Sequence, residues 1–298
     1  MSGFMSSTTA ITICNVNSTV NFTLDALRAH AFTPNIDADG RRLGWVALGD
    51  PLDTDGFELA AVDGRYSGFS FRLDTRKASG AVIRLQLAEA VREEIASGKQ
   101  VGSKRRKELK EAITAKLTAR AEFVPSVIDC IWDAEKGRLL VGSASAKAVQ
   151  PVLELFKTTF GIDAAPITPA GDMPKLFATI LRGEGYPCED YTLHPMGSAS
   201  LAASEQAEEK AAVAVQNSLN AVAQALEEGM AIQKLHLVAT SASEPDWQVD
   251  FTLDASLPVS GLRFPKAEKG MEEDATFLLN ADICSRVADM IEILATTA

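Results

Sequence analysis

Residues 80–120 read GAVIRLQLAEAVREEIASGKQVGSKRRKELKEAITAKLTAR. Ile83, Leu87, Val91 and Ile95 recur every four residues and make one apolar stripe, which predicts a helix over about 80–96. Ser97-Gly98 ends it. Val101-Gly102-Ser103 is a break, with Ser103 placed to cap a second helix. That helix runs from about Lys104 to Ala119, with Leu109, Ile113 and Leu117 on one face and Lys104 and Lys107 roughly opposite. Two helices joined by a short polar break predict an antiparallel pair, over 80–120, projecting from a sheet.

On the N-terminal side of the pair, residues 8–16 alternate around Ile11 and Ile13 and read as a strand. Residues 18–30 read as a helix with Leu24 and Leu27 inward. Arg41 to Leu48 reads as a turn into a strand, and Phe57–Val62 with Tyr66–Leu73 as a hairpin about Asp63-Gly64. On the C-terminal side, Val124–Trp132 and Arg138–Val141 read as a second hairpin. Ser143 or Ser145 opens a helix that Pro151 is expected to kink or to start later. A short helix follows at 173–181. Gly183, Gly185, Pro187, Pro195 and Gly197 mark a long loop or domain boundary, dividing residues 1–182 from 183–298. Residues 202–228 favour helix over at least their second half. Strands are predicted at 231–239, 246–253 and 259–264, and a last helix from Asp274. Strands in hairpins with helices between them give an α+β fold of antiparallel sheets and packed helices.

Hydrophobic residues make up 46% and charged residues 23% of the 298, the balance of a globular chain with a core. No run approaches the ~18 apolar residues of a membrane span. The start, MSGFMSSTTAITICNV, has neither the basic nor the apolar region of a signal peptide, so a cytoplasmic location is expected. Cys14, Cys130, Cys188 and Cys284 form no C-x-x-C pair and read as free buried thiols. The triplets Asn17-Ser18-Thr19 and Asn21-Phe22-Thr23 then carry no meaning as glycosylation acceptors. His30, His194 and His236 are isolated, and no phosphate-cradling loop, nucleophile elbow or metal-ligand spacing is present. Glu272-Glu273-Asp274 reads as the dipole-favoured start of the last helix. No catalytic residue, metal or cofactor is expected.

Charge is the informative property. The net charge is -11, yet between Lys99 and Arg120 eight basic residues stand against two acidic ones. From Glu184 to the end, six basic residues stand against nineteen acidic ones. The candidate site is therefore Lys99, Lys104, Arg105, Arg106, Lys107, Lys110, Lys116 and Arg120. Such a cluster is either a solvated helix face or a phosphate-binding surface. No recognition helix with Asn, Gln and Arg at helical spacing stands out, so nucleic-acid binding would be independent of sequence.

Further motifs run in order along the chain: Ala31-Phe32-Thr33-Pro34, Gly44-Trp45-Val46, Lys104 to Lys110, Leu117 with Arg120-Ala121, and Ile131-Trp132-Asp133. Gly137-Arg138-Leu139-Leu140-Val141 precedes Ser143-Ala144-Ser145-Ala146-Lys147; Glu228-Gly229 precedes Lys234-Leu235; Gly261-Leu262-Arg263-Phe264 precedes the last helix. In this order and spacing they resemble the RdgC family of bacterial recombination-associated proteins, over nearly the whole chain. The resemblance implies a cytoplasmic, nucleoid-associated protein without catalytic activity that binds DNA without sequence preference. It implies horseshoe-shaped subunits closing into a ring-shaped homodimer with a positively lined hole, and restraint of a RecA-type recombinase. It also implies that the helical pair makes one of two dimer contacts and that Lys99 and Arg120 are DNA-linked positions. The family's Arg-Ala-Phe triple reads Arg120-Ala121-Glu122 here, with Phe123 one position later. Its Lys-Gln pair is replaced by Val213-Ala214-Val215-Gln216, with Lys210 upstream. These are departures of a divergent member, for instance one carried by a phage or other mobile element. The alternative is a protein-interaction dimer whose acidic surface binds a recombination or host protein.

Overall fold

Alternating side chains build β1 (Thr8–Val16), which buries Ile11 and Ile13. The computed structural model describes residues 3–16, 19–60, 64–184, 188, 190–203, 212–266 and 270–297. After β1 come α1 (Leu24–Ala29), β2 (Arg42–Ala47), β3 (Tyr66–Arg76), α2 (Gly80–Ala96), α3 (Ser103–Arg120), β4 (Phe123–Asp133) and β5 (Arg138–Val141). Then follow α4 (Ala146–Phe160), β6 (Ala164–Pro166), α5 (Met173–Leu181), β7 (Tyr191–Ala203), β8 (Ala212–Val215), α6 (Leu219–Glu227), β9 (Met230–Ser241), β10 (Gln248–Asp254), β11 (Val259–Arg263) and α7 (Glu273–Thr297). The strands join into one sheet in the order β2-β3-β4-β5-β1-β11-β10-β9-β7-β8, with β6 beside β1. The expected α+β class holds. The chain divides into two compact units, one of Met1–Ala31, Trp45–Phe71 and Ile128–Ala298, the other of Phe32–Gly44 and Arg72–Val127.

In the larger unit β1 is paired on both edges. One edge meets β5, with Thr12 opposite Val141 and Asn15 opposite Arg138. The other meets β11 early, with Thr8 opposite Arg263, and β6 late, with Cys14 opposite Pro166. The two faces of β3 show why its sequence alternates. Phe69 and Phe71 meet Trp45 edge-to-face, and Phe69 also meets Phe22 in an aromatic group that includes Trp132, Phe156 and Phe160. Gly68, on the opposite face, lies under Phe277 of α7, where an added Cβ would come within 2.6 Å of the ring. The predicted stripe Ile283, Val287, Met290 and Leu294 is buried as α7 packs on this second face.

Several elements differ from the sequence expectation, each for a local reason. Helix α1 starts at Leu24 because the Thr23 hydroxyl accepts from Ala26 N (3.2 Å) and caps it there. No strand forms at residues 57–60: Phe57 takes φ +42 and Glu58–Ala60 make one 3-10 turn. The predicted turn residue Asp63, with Ala61 and Val62, lies outside the described residues, as do Asn17, Ser18 and Lys210. Gly102, not Ser103, is the N-cap of α3, and no side chain caps it. Pro151 neither ends α4 nor delays it; the helix begins after Ser145 and runs through the proline to Gly161, whose φ of +72 terminates it. Residues 191–203 form β7 rather than a loop. Pro195 is accommodated where the register against β9 shifts between Pro195 and Ala199, and Gly197 (φ +73) sits within that shift. Residues 212–215 form a strand, with Val215 opposite Ala199, and the helix expected in the second half of 202–228 is α6, capped by Ser218.

A buried ion group ties α7 to the sheet. Arg138 is 1% exposed and donates through Nη2 to the Ser285 carbonyl (2.7 Å) and hydroxyl (2.8 Å). Asp289 approaches it at 2.8 Å and Glu292 at 3.3 Å, and Ser285 Oγ donates to the buried carboxylate of Asp133 at 2.7 Å. Removing one member of such a group leaves an uncompensated buried charge. Arg138→Ala should therefore cost about 3–5 kcal/mol of stability by denaturant unfolding. The loss should shrink when Asp133→Asn is introduced in the same chain, and additive losses would contradict the coupling.

Asp129 makes the opposite kind of contribution. Its carboxylate accepts from Phe4 N and Ser70 Oγ, both at 2.9 Å, yet burial outweighs these bonds and pushes its pKa up. The folded state then binds the proton more tightly than the unfolded state, so stability falls as pH rises from the ordinary carboxylate range through the raised value. Asn can accept from Phe4 N with its oxygen and donate to Ser70 with its nitrogen. Asp129→Asn should thus leave stability at neutral pH equal or higher and remove this downward contribution from a plot of Tm against pH above the ordinary carboxylate range.

Candidate nucleic-acid interface

In the smaller unit α2 and α3 pack on each other, but the pair is thin. Leu87 is the one buried residue of α2, and α3 buries none. Ile83, Val91, Leu109, Ile113 and Leu117 are half-buried. Ile95, expected inward as the fourth member of its stripe, is 58% exposed at the C-terminal end of α2, and Val82 and Leu85 are exposed as well.

The eight candidate basic residues do not share one direction. Four consecutive residues, Lys104 to Lys107, span about 300° of helix circumference. Arg120 lies sixteen residues beyond Lys104, about 24 Å along the axis. Arg105 is engaged within the pair: its guanidinium meets Glu94 at 2.6 Å and Glu108 at 3.1 Å. That hydrogen bond from Arg105 holds the Glu94 carboxyl below the usual range, with Lys99 adding to the effect. Lys107 lies 3.9 Å from Glu111, both well exposed. Lys104, Arg106, Lys110, Lys116 and Arg120 make no ion pair among the described residues and are exposed.

Just past Arg120, the fold assembles residues that the linear pattern does not connect. The guanidinium of Arg42 lies 3.8 Å from the centroid of the Phe123 ring, and that of Arg76 lies 4.6 Å from it. Arg76 Nη1 also donates to the carbonyl of Ala119 in the last turn of α3 (2.8 Å). The displaced aromatic is thus already covered by two cations. Neighbouring arginines are neutralised: Arg41 pairs with Asp37 (3.0 Å) and Asp39 (2.7 Å), and Arg72 pairs with Asp74 (2.8 Å) while stacking on Phe32. Arg42 and Arg76 were missed in the sequence because 34 positions separate them and neither belongs to a charge run. The neighbouring strands β2, β3 and β4 bring their ends, and with them Arg42, Arg76 and Phe123, together.

Charge divides between the two units. The smaller carries fifteen Lys and Arg against nine Asp and Glu, leaving fourteen against thirty-one in the larger. In the larger unit His236 is bonded to Asp250 (2.6 Å), which also pairs with Arg263 (3.2 Å), and His194 meets Thr240 (3.2 Å). Among the described residues no group of three or more His, Cys, Asp or Glu is arranged to hold a metal ion. The four cysteines are buried free thiols. Burial pushes Cys14 up to about 12 and also raises Cys130 and Cys284. No described helix is long and apolar enough to cross a membrane.

Together these features define an α+β protein that gathers its surplus cations on a small helical unit and keeps a strongly acidic larger one. The chain belongs to the RdgC family: the family model described as "Putative exonuclease, RdgC" matches residues 13–292. No curated protein matches it.

Proposed function

We propose that this protein binds DNA through the phosphate backbone, without sequence preference, as a ring-shaped homodimer, and that it modulates a RecA-type recombinase in the cytoplasm, at the nucleoid. The observation that carries the reading is the division of charge. A unit with a cationic surplus attracts phosphate while the acidic larger unit repels it, which confines DNA to one path. Lys99, Lys104, Arg106, Lys107, Lys110, Lys116 and Arg120 are the contacts; Arg105 serves the helical pair through Glu94. Because the cations surround α3, a duplex lying along one side engages a subset of them. The exposed Val82, Leu85 and Ile95 support a second copy packing against the pair. The reading is non-catalytic: binding, not hydrolysis, is the activity, and labelled DNA incubated with the protein and Mg²⁺ should keep its length.

Equilibrium binding to duplex DNA at several salt concentrations tests the first part. Log affinity should fall with log salt by about 0.9 for each phosphate neutralised. Arg120→Ala should remove roughly one unit of that slope on unrelated sequences alike. Lys104→Glu, Arg106→Glu and Lys107→Glu together should nearly abolish binding, with Arg105 left in place so that the pair stays intact. An unchanged slope in both variants would leave the cluster as a solvated helix face. The acidic excess would then favour the other reading, a dimer that binds a recombination or host protein. Light scattering at micromolar concentration should return the dimer mass, and a monomer mass would defeat the ring.

A further inference from the structure

We infer that Arg42 and Arg76, held on the ring of Phe123 at the C-terminal end of α3, form a second phosphate-binding site for the nucleic-acid backbone. The inference rests on the DNA-binding reading and adds residues to it that no charge run contains. Two guanidiniums within 3.8 and 4.6 Å of one ring centroid repel each other, and a carboxylate between them would relieve that repulsion. None does: neither Arg42 nor Arg76 makes an ion pair among the described residues, although Arg41 and Arg72 close by are both neutralised. Arg42 is half-buried, and its Nε is enclosed without a hydrogen-bond partner. Arg76 uses one N–H on Ala119 O, which anchors it beside Arg120 and leaves further donors uncommitted.

Stacking on an aromatic face suits this chemistry. It holds each guanidinium without consuming its N–H donors, the groups with which arginine grips phosphate oxygens bidentately. A phosphodiester supplies the negative charge that the pair lacks. The neighbouring Glu122 is exposed and makes no ion pair among the described residues, so it does not neutralise the pair.

The test is salt-dependent binding of a fluorescent duplex by Arg42→Gln, Arg76→Gln and the double variant, alongside wild type and Arg120→Ala. Each single change should lower the slope by about 0.9 and the double by about twice that, equally on unrelated sequences. Double-variant slopes equal to wild type, with an unchanged Tm, would overturn the site. A lower Tm with no change of slope would make Arg76 only a cap for α3 and would overturn it too. If the glutamine variants fail to fold, Arg42→Lys with Arg76→Lys decides. Retained charge without the planar fork should keep the slope and weaken binding several-fold, and undiminished affinity would reject the site. Wild type binding DNA with a slope that responds to Arg120→Ala but not to these changes removes this inference alone. Wild type that binds no DNA removes the whole reading.

Discussion

The larger unit depends on the double pairing of β1. Both edges of this nine-residue strand are used, by β5 on one side and by β11 and then β6 on the other. Its partners lie some 120 to 250 residues further along the chain, so the strand that organises the sheet makes almost no local contacts. Register is then set by burial: a slip of one residue would turn Ile11 and Ile13 away from the core. The same register places Asn15 opposite Arg138, and Arg138 opposite Asp133 on β4. That brings the buried ion group to the one place where Ser285 of α7 can close it. Helix α7 is thereby aligned by polar contacts as well as by its apolar stripe, and a fold with such long-range pairings gains specificity from a group that tolerates a single arrangement.

The same accounting of ionic partners separates structure from surface. In the larger unit, arginines with low exposure are matched: Arg138 by Asp289 and Glu292, Arg286 by Asp282 and Glu244. In the smaller unit Arg41, Arg72 and Arg105 are matched by carboxylates, while Lys104, Arg106, Lys110, Lys116 and Arg120 make no ion pair among the described residues and face solvent. A charge run in a sequence does not show this division. Of four consecutive basic residues, Arg105 holds two helices together, Lys107 lies near Glu111, and Lys104 and Arg106 make no ion pair among the described residues. Exposed pairs contribute little stability, so the role of Arg105 is to set the approach of α2 and α3 rather than to strengthen the fold.

Legibility followed the range of the interactions. Helices α2, α3, α5 and α7 and strands β1, β4, β5, β9, β10 and β11 were readable because periodicity or alternation is a local property of the chain. The misreadings arose where a partner overrode the local pattern. Pro195 and Gly197 look like loop residues but sit within a strand whose register shift absorbs them, and residues 191–203 pair with β9. For the candidate interface, the run from Lys99 to Arg120 was visible as charge. The pairing of Arg105 with Glu94 was not, since eleven positions across a helix reversal separate them. The grouping of Arg42, Arg76 and Phe123 draws on three segments and has no linear signature at all.

That grouping also explains what moving an aromatic by one position does. Successive side chains at the start of a strand point to opposite faces. Glu122 precedes β4 and is exposed, whereas Phe123 is the first residue of β4, and the strand carries its ring to a different place. There it meets Arg42 from the first residue of β2 and Arg76 from the last residue of β3. The faces of the ring that the arginines cover are closed to other stacking partners. Its contribution is to hold two cations next to the end of α3, where the helix dipole is negative and one of them caps a carbonyl. The ring of Phe123 is thereby committed to two cations at this end of the helix.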